Sequence, residues 1–190
     1  MTSKSSLSSG PRVAVAVSLL LMTLAVVALI AQEQARKVVP TVAPAMLEPF
    51  LPAVFDGWSK IRSASNRVDD GCAYAFAETV YMNRVSDKLR VTVADTGFDA
   101  DALSTVATIV MSFPAGHTEK IPPDSIISRI TYRDWPAATM WNGAKREAEF
   151  TVVVGGRFVA KVEGTPAENL DTLREVLDKI DLKKLAELGK

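Results

Sequence analysis

Histidine and cysteine each occur once in 190 residues, as His117 and Cys72, and aromatic residues make up only 7% of the chain. One cysteine excludes an intramolecular disulfide framework. One histidine excludes a metal site built on several imidazoles. Neither sign of charge is in excess, since 22 Lys and Arg balance 22 Asp and Glu. A chain without a basic surplus has no overall attraction for nucleic acid, and no nucleic-acid partner is expected. The Gly-x-x-x-x-Gly-Lys-Ser/Thr phosphate loop, the Gly-x-Gly-x-x-Gly fingerprint and the Gly-x-Ser-x-Gly elbow are all missing. Internal repeats and long charge runs are missing too, and no cofactor is expected.

What the sequence has in excess is one apolar run. Between Val13 and Ala31, 17 of 19 residues are apolar, and no charge falls between Arg12 and Glu33. A helix rises about 1.5 Å per residue, so such a stretch reaches roughly the 30 Å of a bilayer core while satisfying its own backbone. The sequence therefore predicts a membrane-spanning signal anchor over residues 13–31, with Val13, Leu20, Leu24 and Ile30 among its lipid-facing residues, and the bilayer as a partner. A cleaved signal peptide is the rival reading, but its apolar core is shorter, and Leu29-Ile30-Ala31 lacks the small-x-small pattern. Lys4 and Arg12 before the run nearly balance Arg36 and Lys37 after it. A short basic tail ahead of a long domain favours a cytoplasmic N-terminus and a periplasmic or extracellular domain.

The rest of the chain divides by composition. Residues 1–12 read as a disordered Ser-rich tail, and residues 32–45, with Pro40 and Pro44, as a juxtamembrane linker. Residues 46–190 read as one globular domain, and residues 32–190 together carry 20 basic and 22 acidic groups. Strand-like alternation runs over 58–68, 73–83, 88–96, 125–132 and 137–142, and over 147–154 and 157–163 around the Gly155-Gly156 turn. On the second of these, Tyr74, Phe76, Val80 and Met82 share one face. Ala73, Ala75, Ala77, Thr79 and Tyr81 share the other.

Helical spacing appears in three places. Leu103, Val106, Ala107, Val110 and Met111 mark an amphipathic helix over 101–113, capped by Asp99 or Asp101. Thr165, Pro166 and Glu168 form a capping box for a second helix through Ile180, and Leu182, Leu185 and Leu188 mark a short last one. The expected fold class is α+β: an antiparallel sheet of five to seven strands with two amphipathic helices on one face.

Few residues offer chemistry. Cys72 and His117 together could form a thiol nucleophile, but they lie far apart and no catalytic signature flanks either. Asp95, Asp99 and Asp101 crowd a strand-to-helix loop, as calcium ligands do. The twelfth position of the calcium-loop pattern is Val106 instead of Glu, and helix capping explains the acids as well. The cluster Tyr132, Arg133 and Trp135, with Trp141 six residues on, is the candidate interaction surface, because Trp, Tyr and Arg anchor protein interfaces. Core packing of Trp141 and an edge position for Trp135 are the structural alternative.

Gly57-Trp58, Trp135-Pro136-Ala137, Gly155-Gly156-Arg157-Phe158 and Ile180-Asp181-Leu182-Lys183-Lys184-Leu185 together resemble small bacterial exported or membrane-anchored proteins, and the order of elements over residues 47–188 is similar to the PsbP/Mog1-like α+β sandwich. That resemblance implies an accessory or binding module by fold analogy alone, and it transfers no functional residue. The sequence thus points to a membrane-anchored, non-enzymatic accessory or protein-interaction domain with an extracytoplasmic protein partner. A binder of a small apolar ligand or lipid, seated above the Ala-rich strand, is the alternative. A hydrolase or thiol enzyme using Cys72, His117 or the Asp95–Asp101 loop is the third reading.

Overall fold

Alternation of side chains over short runs, broken by tight turns, builds a single antiparallel sheet of eight strands. The computed structural model describes residues 39–190 apart from 56, 69–73, 98–106, 108, 109, 111, 122, 123 and 168. The strands are β1 (Trp58–Val68), β2 (Tyr74–Asn83), β3 (Lys88–Asp95), β4 (Thr118–Ile121), β5 (Ser125–Tyr132), β6 (Trp135–Asn142), β7 (Glu147–Val154) and β8 (Phe158–Thr165). Their order across the sheet is β1-β2-β3-β8-β7-β6-β5-β4. Two meanders, β1 to β3 and β4 to β8, therefore meet where β3 pairs with β8 from Lys88↔Thr165 to Asp95↔Phe158.

Among the described residues the helical segments are short. Two 3-10 turns, Pro44–Met46 and Glu48–Phe50, precede the sheet, and α1 (Asp171–Leu177) and α2 (Leu182–Glu187) follow it. The expected α+β class, an antiparallel sheet of five to seven strands with two amphipathic helices on one face, is thus corrected: among the described residues one eight-stranded sheet dominates and the helices are short. The expected helix from the Thr165 capping box begins only at Asp171. Thr165 remains in β8 because its backbone pairs with Lys88, so the β3–β8 ladder overrides the local cap. Asn169 Oδ1 takes over by accepting from the Asp171 amide at 2.9 Å.

Nor do all helical residues share one face. Leu173, Val176, Leu177, Ile180, Leu182 and Leu185 pack with Phe150, Val152, Phe158 and Val162 in the main core. Val110, which is helical, packs instead with Ile127, Ala138, Val153 and Val159, the residues of opposite parity on β5 to β8. The sheet is covered from both sides over these strands.

Among the described residues no helix is long and apolar enough to cross a membrane. The transmembrane helix expected over 13–31, with Val13, Leu20, Leu24 and Ile30, lies outside the described residues and has no counterpart among the described elements, which are sheet-dominated.

The main core uses the alanine face of β2. Ala75, Ala77, Thr79 and Tyr81 are buried, whereas Tyr74, Phe76, Val80 and Met82 are only partly so. Leu47 and Phe50 from the 3-10 turns sit in the same cluster as these alanines. Small side chains let a backbone turn lie close against the strand, and larger ones would hold it off. The space that the alanines leave is filled by the chain itself.

Candidate interaction groove

The β5–β6 link is the two-residue turn Arg133-Asp134, with φ of 47° and 68°. Positive φ at both central positions matches the twist of the flanking strands, and a short polar side chain such as Asp tolerates it. The turn sets Tyr132 directly opposite Trp135. Tyr132 is buried, with its ring edge-on to Phe150 at 5.1 Å. Its hydroxyl donates to Asp178 in the link between α1 and α2. Arg133 Nη2 lies 2.5 Å from the same Asp178 oxygen, and the guanidinium stands 5.5 Å above the Tyr132 ring. Burial, and then the Asp178 hydrogen bond, push the Tyr132 phenol up to about 12.

Trp135 and Trp141 are both half-buried and pack on the main core. They stand six residues apart on one strand, a separation of about 20 Å at the usual strand rise. The structure therefore brings Tyr132, Arg133 and Trp135 together and leaves Trp141 at the far end of β6, where its indole nitrogen abuts Gly143. The four do not form one surface.

Residues that the sequence analysis did not single out complete the site. The segment 46–55 wraps back over the sheet and is held by Tyr81, whose buried hydroxyl donates to the Pro52 carbonyl. Burial raises the Tyr81 phenol above its ordinary value. Phe55 contacts Tyr81 and Trp58, with ring centres at 5.1 and 5.9 Å. Lys179 lays its ammonium 5.7 Å from the Phe55 ring centre.

Around Lys179 three clefts meet. The largest, about 710 Å³, runs between Met46, Val54 and Phe55 on one side and Asp181, Lys184 and Leu188 on the other. A second, about 300 Å³, continues past Lys183 to Trp135 and Arg133. The third, about 390 Å³, lies between Phe55, Trp58 and Glu175. Met46 and Val54 are 48% and 68% exposed, which leaves the groove with apolar lips. Asp181 is occupied as the cap of α2, accepting from the Lys184 amide at 3.0 Å. Among the described residues no carboxylate lies within ion-pair distance of Lys179, Lys183 or Lys184. The Pro-rich run 48–52 and the Lys183-Lys184 pair were visible in sequence, but nothing local shows that they face each other.

The other candidates resolve differently. Asp95 is fully buried, and both its oxygens are used. Oδ1 accepts from Arg157 Nε at 2.8 Å and the Gly97 amide at 3.0 Å, and Oδ2 from Arg157 Nη2 and the Val42 amide, both at 2.7 Å. Those bonds hold Arg157 above its ordinary pKa. A carboxylate so engaged is a structural clamp, not an open metal ligand. Arg157 Nη2 also donates to the Pro40 carbonyl, and Arg67 Nη2 to those of Thr41 and Val42. Residues 39–43, read from sequence as linker, are thereby strapped to the sheet. His117 stacks on Phe113 at 4.3 Å, with Glu119 3.7 Å from Nε2. Cys72, Asp99 and Asp101 lie outside the described residues, and the described residues contain no cluster of three or more His, Cys, Asp or Glu placed to hold a metal.

No protein-family model, no curated protein and no solved structure matches the chain.

Proposed function

We propose that this chain is a non-enzymatic accessory domain that binds a protein partner on the extracytoplasmic side of a membrane, and that the groove around Lys179 is its contact surface. The observation that carries the reading is the meeting of three clefts at one exposed lysine, with Trp135 and Arg133 at one end and the apolar lips Met46 and Val54 at the other. Interfaces favour such a mixture of aromatic, Arg and apolar anchors with a polar rim. Attachment to a membrane rests on the hydropathy of residues 13–31 alone.

A photoreactive side chain placed at Val54 in the full chain tests this in native membranes. The control position is Val85, which is 76% exposed in the β2–β3 turn. One reproducible crosslinked partner from position 54 and none from position 85 is the expected result. Solitary monomer from both positions overturns it. The largest cleft also has the volume of a small-molecule site. An apolar ligand retained in native mass spectrometry, with no protein crosslink, would favour the ligand-binding alternative.

A further inference from the structure

We infer that the groove takes an acidic peptide segment of the partner, with carboxylates meeting Lys179, Lys183 and Lys184 and an apolar side chain entering between Met46, Val54 and Leu188. This rests on the interaction reading and names the chemistry of what is bound. Charge is the first argument. The three lysines are exposed and have no carboxylate partner among the described residues. Three acids share the clefts: Asp178 is paired with Tyr132 and Arg133, Asp181 caps α2, and Glu175 stands exposed on the third cleft. Together the clefts are lined by four basic side chains, Arg133, Lys179, Lys183 and Lys184, against the three acids, a small positive excess in a domain whose acidic groups slightly outnumber its basic ones. Local fields of this kind select partners even where net charge does not.

Shape narrows the occupant. A bilayer surface is flat on this scale and would meet only the rim, whereas a chain can lie along three clefts in series. A lipid tail is a poor fit, because apolar ligand sites bury most of their ligand and the largest cleft is open to solvent. A second copy is disfavoured as well, since a two-fold contact through this face would set lysine rim against lysine rim.

The test uses the full chain in nonionic detergent and a fluorescein-labelled peptide that alternates Glu-Glu with Leu-Phe, read by anisotropy at low salt. A peptide with Gln for every Glu is the control, and phosphatidylglycerol vesicles are the competitor. The acidic peptide should bind about tenfold or more tightly than the Gln peptide and weaken steeply with added salt. The Lys183→Glu/Lys184→Glu double variant should lose about tenfold in affinity with an unchanged melting temperature, both side chains being exposed. Equal binding of the two peptides, no binding of either, or vesicle binding through the same lysines without peptide binding would overturn the inference. Where position 54 crosslinks a partner that the acidic peptide fails to displace, the interaction reading stands and this inference alone falls.

Discussion

Arg157, on the β7–β8 link, closes two nitrogens on the carboxylate of Asp95 at the end of β3, 62 positions earlier in the chain. The contact ties together the two meanders and the strap that precedes them. Breaking such a pair from one side leaves a buried charge without its partner, at a cost of about 3–5 kcal/mol. Arg157→Ala should therefore lower stability by that amount in urea unfolding. Hydrogen exchange at the Val42 amide, which donates to Asp95, should accelerate ahead of exchange in β7. An Arg157→Ala variant with unchanged Val42 protection would show that the strap is held by something other than this pair.

Gly97 gives the strap an independent test. Its φ is +57°, and a Cβ there would sit 2.8 Å from the Val39 carbonyl oxygen. Gly97→Ala should destabilise by about 1–3 kcal/mol through backbone strain and that collision. Because the clash is with Val39, the loss should shrink when Val39 and the residues before it are deleted, which differential scanning calorimetry can check.

Ala77 is fully buried in the same cluster as Leu47 and Phe50. Ala77→Leu should cost about 1–3 kcal/mol by overpacking. Phe76→Leu, on the opposite and partly exposed face, should cost less. The reverse order in thermal melts would mean that the main core lies on the other side of β2.

At the β5–β6 turn, Asp134 holds φ +68°. Asp134→Gly should raise stability by up to about 1 kcal/mol, since relief of left-handed strain outweighs the larger unfolded-state entropy of glycine, and Asp134→Val should lower it by about 1–2 kcal/mol, because a β-branched side chain is strained there. A loss of stability in the glycine variant would point to a contact of the Asp134 side chain that outweighs the turn geometry.

Alkaline titration should separate Tyr132 from a free phenol. Its folded pKa, about 12, lies above the ordinary value of 10.0. The native state therefore keeps a proton that the unfolded chain releases. This contribution to stability is full below about pH 10 and is lost as pH rises to about 12. Tyr81 shifts in the same direction by burial. Tyr132→Phe should flatten the fall in stability over that window and remove one late-titrating phenol from the tyrosinate absorbance curve. An unchanged slope in that variant would assign the effect to Tyr81.

Much of the sheet was legible because its signals are local. The period-two runs over 125–132 and 147–154 became β5 and β7, and Gly155-Gly156 became a turn with φ of 61° and 68°. The four-residue strand β4 was missed, being too short to show a period beside Pro122 and Pro123. The Arg133-Asp134 turn was missed because neither residue is glycine or asparagine, the usual marks of positive φ. Of the proposed surface, Tyr132, Arg133 and Trp135 stand together at one end of the groove, and Asp178, 46 positions after Tyr132, joins the first two.

Composition, turn chemistry and alternation were enough to place seven of the eight strands, and the apolar run at 13–31 belongs to the sequence alone. Tertiary structure decided the rest. Both faces of β2 carry apolar residues, so hydrophobicity could not choose between them, and the close approach of Leu47 and Phe50 selected the alanines. The pairing of β3 with β8 moved the start of α1 past Thr165, because a ladder between distant strands outweighs a single local cap. The groove exists only because segment 46–55 and the α1–α2 link, more than a hundred residues apart, pack over the same face of the sheet.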